Sequence, residues 1–173
     1  MTIGFSQPAD DPTTMSTSCP IPELAAFLHA AKFATYATQS DQAGGTPLLP
    51  GSKQLEYGAG DFFYRDIYVG MFHFVGQEIV YYRDTPVWAM SYAGGMLPAA
   101  EMSQARDIYA LLRQALQHMP IEQPFRGPAE FSAGNTRYEN ALNGDIGRFH
   151  GQERIFSGDT LLYELHYSGG LLL

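Results

Sequence analysis

The sequence has one cysteine, few basic side chains and no long apolar run, and each shortage excludes a class of protein. A single cysteine, Cys19, cannot form a disulfide within the chain. Ten basic against 18 acidic residues give a net charge of −8, which repels phosphate backbones instead of binding them. No apolar run is long enough to span a membrane, and no basic-then-apolar leader is present. We therefore expect a cytoplasmic protein that binds no membrane and, by this chain alone, no nucleic acid.

The sequence also lacks the motifs of common metal and cofactor sites. Its five histidines show none of the spacings of zinc ligands. It contains neither of the glycine patterns that bind dinucleotides or nucleoside triphosphates, and no serine nucleophile elbow. We predict no metal and no cofactor.

Aromatic residues and glycine are plentiful, with 11 Tyr, 11 Phe and 18 Gly, which favours strands and tight turns. Residues 1–19 are rich in Pro, Asp, Ser and Thr and have almost no apolar periodicity, so we predict a flexible N-terminal tail. The remaining residues, 20–173, have the length of a single domain.

The chain repeats itself imperfectly. Leu55–Leu97 is similar to Ala129–Leu173 at an offset of about 74 residues, and three consecutive residues, Gly-Gln-Glu, recur at 76–78 and 151–153. An amphipathic helix is predicted before each copy, at about 22–34 and 100–118. We therefore interpret the domain as two repeats, about 20–97 and 98–173.

Within the first copy, apolar residues alternate with a period of two, which is typical of strands. The predicted runs are 54–57, 62–68, 71–75 with 78–82, and 87–92, and Gly76 is interpreted as a turn. The fold class is α+β: an internal duplication of a helix plus an antiparallel β-meander. The meanders form a curved antiparallel sheet, open or barrel-like, with two helices packed on it. The loop at 37–53 is expected to cover part of the sheet.

Alternation also predicts where a site would lie. Tyr64 and Asp66 fall on one face of their strand, and Arg65 falls on the other. If neighbouring strands align, aromatic rings form a wall with Asp66 and Glu78 set into it, as in a small-molecule pocket. The alternative is that the rings pack a core or a subunit interface. The candidate ligand-binding residues are Asp61, Tyr64, Arg65, Asp66, Glu78, Tyr82, Trp88 and Tyr92.

The repeated Gly-Gln-Glu has two interpretations. It is either the frame of a recurring turn or a source of paired carboxylates, Glu78 and Glu153, for acid/base chemistry. The first copy differs from the second at four polar or aromatic positions, so we expect any site there. The second copy has Asn135, Glu139, Asn140 and Leu162 or Tyr163 where the first has Asp61, Arg65, Asp66 and Trp88.

Three functional hypotheses follow. The first is a small-molecule binding or sensing module that uses the aromatic face. The second is an enzyme in which Asp66 and Glu78, with Arg65 and Tyr82, carry out acid/base catalysis. The third is an interaction domain, including a homodimer formed through the aromatic surface. Catalytic residues are not assigned.

One family resemblance can be stated. The stretches LPGSKQLEYGAGDFFYRDIYVG and FVGQEIVYYRDTPVWAMSYAGG resemble a bacterial domain of unknown function, found alone or after a helix-turn-helix DNA-binding domain in regulators. The resemblance spans roughly Ile21 to Gly170. It implies no catalytic residues, but the association with regulators is similar to that of effector-sensing domains.

Overall fold

The structure, a computed structural model, describes residues 19–37 and 47–172. The predicted tail up to residue 18 and residues 38–46 of the predicted covering loop lie outside the described residues. The first half comprises α1 (Ile21–Ala37), β1 (Lys53–Ala59), β2 (Phe62–Gly70), β3 (His73–Tyr82) and β4 (Thr85–Met96). A 3₁₀ turn (Met102–Gln104) then leads into α2 (Ala105–Gln117), β5 (Glu130–Ala133), β6 (Thr136–Asp145), β7 (Arg148–Ser157) and β8 (Thr160–Leu171).

The eight strands form one antiparallel sheet in the order β1-β2-β3-β4-β8-β7-β6-β5. Each half of the sheet is a four-stranded meander, and the two meanders join where β4 pairs with β8, with Tyr92 opposite Tyr167. Strands β1 and β5 are the two edges, so the sheet is open. The α+β class with a curved antiparallel sheet and two helices is confirmed, and the barrel-like alternative is not adopted.

Both helices pack on one face of the sheet, which we call the inner face. The apolar stripe of α1 is fully buried at Leu24, Leu28 and Ala31, because these positions follow the helical repeat. Helix α2 buries Ile108 and Ala115 among others and reaches the sheet through Tyr109, whose ring lies edge-on to Tyr163. Neither helix of the described ranges is long and apolar enough to cross a membrane.

Gly76 does not have the role that the sequence predicted for it. It lies in the middle of β3, opposite Tyr68 on β2 and Tyr92 on β4, and does not form a turn. A Cβ at this position would come within 2.3 Å of the Tyr92 hydroxyl. A Cβ at Gly151 would likewise come within 2.3 Å of the Tyr167 hydroxyl. The glycine of Gly-Gln-Glu is therefore needed because a tyrosine ring from the next strand passes over the backbone, and the turn interpretation of this motif is wrong.

The β3–β4 turn lies between the predicted runs 78–82 and 87–92 but is shorter than that gap, because Thr85 and Pro86 already belong to β4. Arg83 and Asp84 occupy it with φ values of 49° and 63°. Two successive left-handed residues are typical of the tight hairpin turn that matches the twist of the flanking strands. The turn pairs Tyr82 with Thr85, and a one-residue register shift between Val80 and Tyr81 then places Trp88 opposite Val80.

Candidate functional site

The structure divides the eight candidate residues between the two faces of the sheet and its rim. Tyr64, Asp66, Glu78, Trp88 and Tyr92 are all buried on the inner face. Tyr82 is partly buried at the end of that face, where its ring packs on Phe62. The aromatic wall therefore lies in the hydrophobic core beneath the helices and is not an open pocket.

The other two candidates lie elsewhere. Arg65 is on the opposite, outer face of the sheet, where its Nε donates to the Glu56 carboxylate at 2.8 Å. Asp61 is in the β1–β2 turn and forms an exposed ion pair of 2.7 Å with Arg83. Neither belongs with Asp66 and Glu78, so the form of the enzyme hypothesis that also uses Arg65 is wrong.

Asp66 and Glu78 face each other across β2 and β3, and both are 0 % exposed. The Tyr36 hydroxyl from α1 lies 3.2 Å from Asp66 Oδ2 and 3.1 Å from Glu78 Oε1, and the Tyr92 hydroxyl donates to Asp66 Oδ1 at 2.7 Å. A tyrosine hydroxyl has only one hydrogen to donate. Tyr36 can therefore donate to only one of the two carboxyl groups. The second contact becomes a hydrogen bond when the other carboxyl group carries a proton and donates it to the Tyr36 oxygen.

The electrostatics of the pair agree with its geometry. Burial, followed by the charge of Glu78, raises the pKa of Asp66 from 3.8 to about 7, against the opposing effects of Tyr92, Lys32 and Tyr36. Two adjacent buried carboxyls cannot both ionise without a large penalty. At neutral pH, Asp66 therefore holds a proton in a substantial fraction of the molecules.

Lys32 is the cation of this half of the site. Its Nζ lies 2.7 Å from Glu78 Oε2, donates to the Phe125 carbonyl at 2.5 Å and sits 5.7 Å from the centre of the Trp88 ring. Burial lowers the pKa of Lys32, and the Glu78 charge opposes that effect. A buried ammonium is stable only with such partners, so Lys32 fixes the C-terminal half of α1 against the sheet.

A second ion pair lies in the other meander. Glu153, which matches Glu78 in the repeated motif, is 0 % exposed, lies 2.6 Å from Arg126 Nη2 and accepts a hydrogen bond from Tyr138. The Arg126 guanidinium is 5.9 Å from the centre of the Tyr92 ring, which connects the two halves. Each glutamate thus has its own cation. No group of three or more His, Cys, Asp or Glu side chains within residues 19–37 and 47–172 could hold a metal ion.

The two halves differ at the position of Asp66. Its equivalent is Asn140, which lies opposite Glu153 as Asp66 lies opposite Glu78. Asn140 Oδ1 accepts from Tyr167 at 2.7 Å, and Asn140 Nδ2 donates to the Gly127 carbonyl at 2.8 Å. An uncharged amide therefore fills this position in the second half. Together these groups form one polar cluster on the inner face, with three carboxyl groups (Asp66, Glu78 and Glu153) and two cations (Lys32 and Arg126). A proton on Asp66 makes the net charge of this cluster zero.

Several buried hydrogen-bond donors in this cluster have no acceptor among the described residues. They are Trp88 Nε1, Arg126 Nε and the hydroxyls of Tyr64 and Tyr163. The Tyr64 hydroxyl approaches Tyr36, and the Tyr163 hydroxyl approaches Arg126, but neither contact has regular hydrogen-bond geometry. An unsatisfied buried donor costs about 1–3 kcal/mol, so a ligand or water that supplied acceptor atoms to these groups would stabilise the cluster.

Sequence reasoning missed Lys32, Tyr36 and Arg126. Lys32 carried a usable signal, because it follows Leu24 and Leu28 at a spacing of four and so lies on the buried stripe of α1. Arg126 lies in the loop before β5, and nothing in its sequence neighbourhood indicates that it reaches a glutamate 27 residues later.

Two shallow surface pockets lie within the described ranges, and neither includes the cluster residues. One, of about 450 Å³, lies between α1 and the β1–β2 turn and is lined by rings that include Phe27, Tyr57 and Tyr82. The other, of about 420 Å³, lies on the outer face near Ser91 and Ser168. The polar cluster itself is closed, because its charged side chains are all buried.

Comparison with known protein families matches residues 66–172 to a domain described as Domain of unknown function (DUF5680). The match covers more than half of the chain, which therefore belongs to this family. The expected resemblance to a domain of unknown function is confirmed at this level. No curated protein and no solved structure matches the chain.

Proposed function

Within this family, we propose that the chain is a small-molecule binding or sensing module whose ligand is held by the polar cluster between α1 and the inner face. The observation that carries the proposal is the set of buried donors without acceptors: Trp88 Nε1, Arg126 Nε and the hydroxyls of Tyr64 and Tyr163. A ligand that supplies acceptor atoms would remove the penalty of leaving these groups unpaired.

The chemistry of the cluster specifies the ligand class. All four unpaired groups can donate, so the ligand carries acceptors such as carbonyl or hydroxyl oxygens. With Asp66 protonated, the charges of Glu78 and Glu153 balance those of Lys32 and Arg126, so an added carboxylate would be an unpaired buried charge. Aromatic rings surround the cluster. A neutral aromatic compound with carbonyl oxygens fits these constraints.

Binding requires α1 to move. The cluster is closed by Lys32 and Tyr36, both near the C-terminal end of α1, so a ligand reaches it only when that part of the helix separates from the sheet. A ligand that binds the open form shifts the population toward it, and the apparent affinity is reduced by the cost of opening. Such coupling between ligand and helix position is what a sensing module requires.

The test is a thermal-shift screen of neutral aromatic carbonyl compounds, followed by calorimetry on the hits. Tyr64→Phe and Tyr163→Phe each delete one unpaired hydroxyl. We expect them to leave the melting temperature unchanged or slightly raised and to weaken binding about fivefold, the effect of one hydrogen bond of about 1 kcal/mol. Tyr81→Phe, on the outer face, is the matched control. If no compound raises the melting temperature, or if both variants bind as tightly as the wild type, the proposal is wrong.

A second candidate is an acid/base enzyme at the same place. It is favoured by the buried pair in which Asp66, with a pKa of about 7, faces Glu78, because a group that titrates near neutrality is suited to proton transfer. In this form Asp66 is the acid and Glu78 the base. Turnover of a bound compound that is lost in Asp66→Asn while binding is retained would favour the enzyme over the binding module.

We also propose that the two halves arose by internal duplication. A helix precedes a four-stranded meander in each, and the pairings correspond: Arg65 lies opposite Ile79 as Glu139 lies opposite Arg154. Both glutamates of the repeated motif are buried with a cation. Separate expression of residues 20–97 and 98–173 tests whether each half folds as a unit and whether the two reassemble into the native sheet through the β4–β8 junction and the contacts of α1 and α2 with the other half, such as that of Lys32 with Phe125.

A further inference from the structure

The outer face of the first meander carries an apolar surface that neither helix covers. Residues opposite each other on antiparallel strands share a face, and Arg65, Ile67, Gln77 and Ile79 mark the outer one by their pairings. Val69 and Val75 on this face are 45 % and 50 % exposed. We call these side chains the outer apolar patch: Phe63, Ile67, Val69, Val75, Ile79 and Tyr81.

The second meander shows that the fold does not require this patch. Its pairings match those of the first, so each patch position has an equivalent on the outer face of β6 or β7. These equivalents are mostly polar: Arg137, Ala141, Asn143, His150, Arg154 and Phe156. A solvated sheet face is normally polar, and the second meander follows this rule. The first does not, which is typical of a surface that binds a partner.

The charges on this face favour a second copy of the chain as that partner. A twofold interface brings identical surfaces together, so a charged patch would face its own charge. The chain as a whole carries a net charge of −8, but this patch has no unpaired charge. Arg65, which lies among its residues, is neutralised by Glu56 at 2.8 Å. The patch can therefore meet its own copy without repulsion.

The outer face of the first meander is large enough for such an interface. The patch lies on β2 and β3, and the flanking outer positions of β1 and β4 extend the face to four strands about 4.8 Å apart, each with about eight residues at a rise of about 3.3 Å, or roughly 500 Å². Two copies would bury about 1,000 Å² in total, which is at the lower limit for a specific interface. Such an area is typical of a dimer that dissociates on dilution.

We propose that the chain forms a twofold dimer through the outer apolar patch, with the β1–β4 halves of two sheets packed face to face. The polar outer surfaces of β5–β8 then extend to either side of the interface. The inner cluster of each subunit remains beneath its own helices, so the dimer places two ligand sites on opposite sides of one assembly.

Sedimentation velocity over a range of protein concentrations tests the proposal. We expect the wild-type chain to change from monomer to dimer as concentration rises. Val69→Asn, Val75→His and Ile79→Arg introduce the residues that occupy the equivalent positions 143, 150 and 154 of the second meander, where the fold accepts them. The triple variant is expected to stay monomeric and to keep the circular-dichroism spectrum of the wild type.

Arg154→Gln and His150→Gln, on the outer surface of the second meander, are the matched controls and are expected to dimerise normally. Native mass spectrometry gives an independent measure of subunit number. A wild-type chain that is monomeric at every concentration, or a triple variant that dimerises as strongly as the wild type, would overturn the proposal, because the patch would then serve some other contact.

Discussion

Replacing Asp66 by Asn should remove a pH dependence of stability that arises from the buried carboxyl pair. Asp66 is 0 % exposed, lies opposite Glu78 and contacts Tyr36 and Tyr92. Burial and the Glu78 charge raise its pKa from 3.8 to about 7. At pH values between these two pKa values, Asp66 in the folded state therefore keeps a proton that it has already lost in the unfolded chain.

The sign and size follow from proton linkage. Since the folded state binds the proton more tightly, the free energy of unfolding falls as pH rises from about 4 to 7 and levels off above about 8. The rise in pKa corresponds to a loss on the order of 4 kcal/mol. The amide that Asp66→Asn introduces would be neutral at every pH and could still accept from Tyr92. The variant should therefore lack this loss and be more stable than the wild type at pH 8.

The assay is urea unfolding of both proteins between pH 5 and 8.5, followed by fluorescence. Trp88 is the chain's single tryptophan and is fully buried in the core, so its emission reports on unfolding directly. The quantity of interest is the difference between variant and wild type, because other titrating groups cancel in it. A difference that stays constant across this range would refute the proton assignment.

Two further changes test the packing around the cluster. Gly76→Ala places a Cβ within 2.3 Å of the Tyr92 hydroxyl and should lower the free energy of unfolding, measured in urea, by about 1–3 kcal/mol or more. Gly58→Ala is the control, because its Cβ would meet nothing closer than 3.7 Å, and it should have a much smaller effect. Lys32→Met should destabilise by about 3–5 kcal/mol because it leaves Glu78 buried without its cation, and adding Glu78→Gln should recover part of the loss. A double variant no more stable than Lys32→Met would contradict this account.

The parts of the fold that follow local periodicity could be predicted from the sequence. The apolar spacing of Leu24 and Leu28 located α1, although the helix continues three residues beyond the predicted Ala34. Strand alternation placed Asp66 and Glu78 on one face and Arg65 on the other, as the pairings show. These successes share a cause, since each depends only on residues within one element.

The parts that depend on contacts between distant elements could not be predicted. Gly76 was assigned to a turn because glycine is a local turn signal, whereas its actual constraint is the Tyr92 ring from the neighbouring strand. The Lys32–Glu78 ion pair joins a helix to a strand 46 residues later, and Arg126 reaches its glutamate from a loop. Whether the aromatic face was pocket or core also depended on where α1 packs, which alternation within the strands does not specify.

The second meander provides a natural comparison for Asp66. Asn140 occupies the same place, with the same acceptor contact from a tyrosine of the neighbouring strand, so the fold does not need an acid there. The acid at residue 66 is therefore a feature of the first half that this packing arrangement does not require. The reverse change, Asn140→Asp, tests this reasoning. It places a second carboxyl opposite Glu153, beside one cation, and removes the amide that donates to Gly127. We expect a lower free energy of unfolding at pH 8, by about 2 kcal/mol or more, and partial recovery on acidification as the new carboxyl takes up a proton. If Asn140→Asp is as stable as the wild type at pH 8, the sheet tolerates a paired carboxyl at either position, and the acid at residue 66 loses its functional significance.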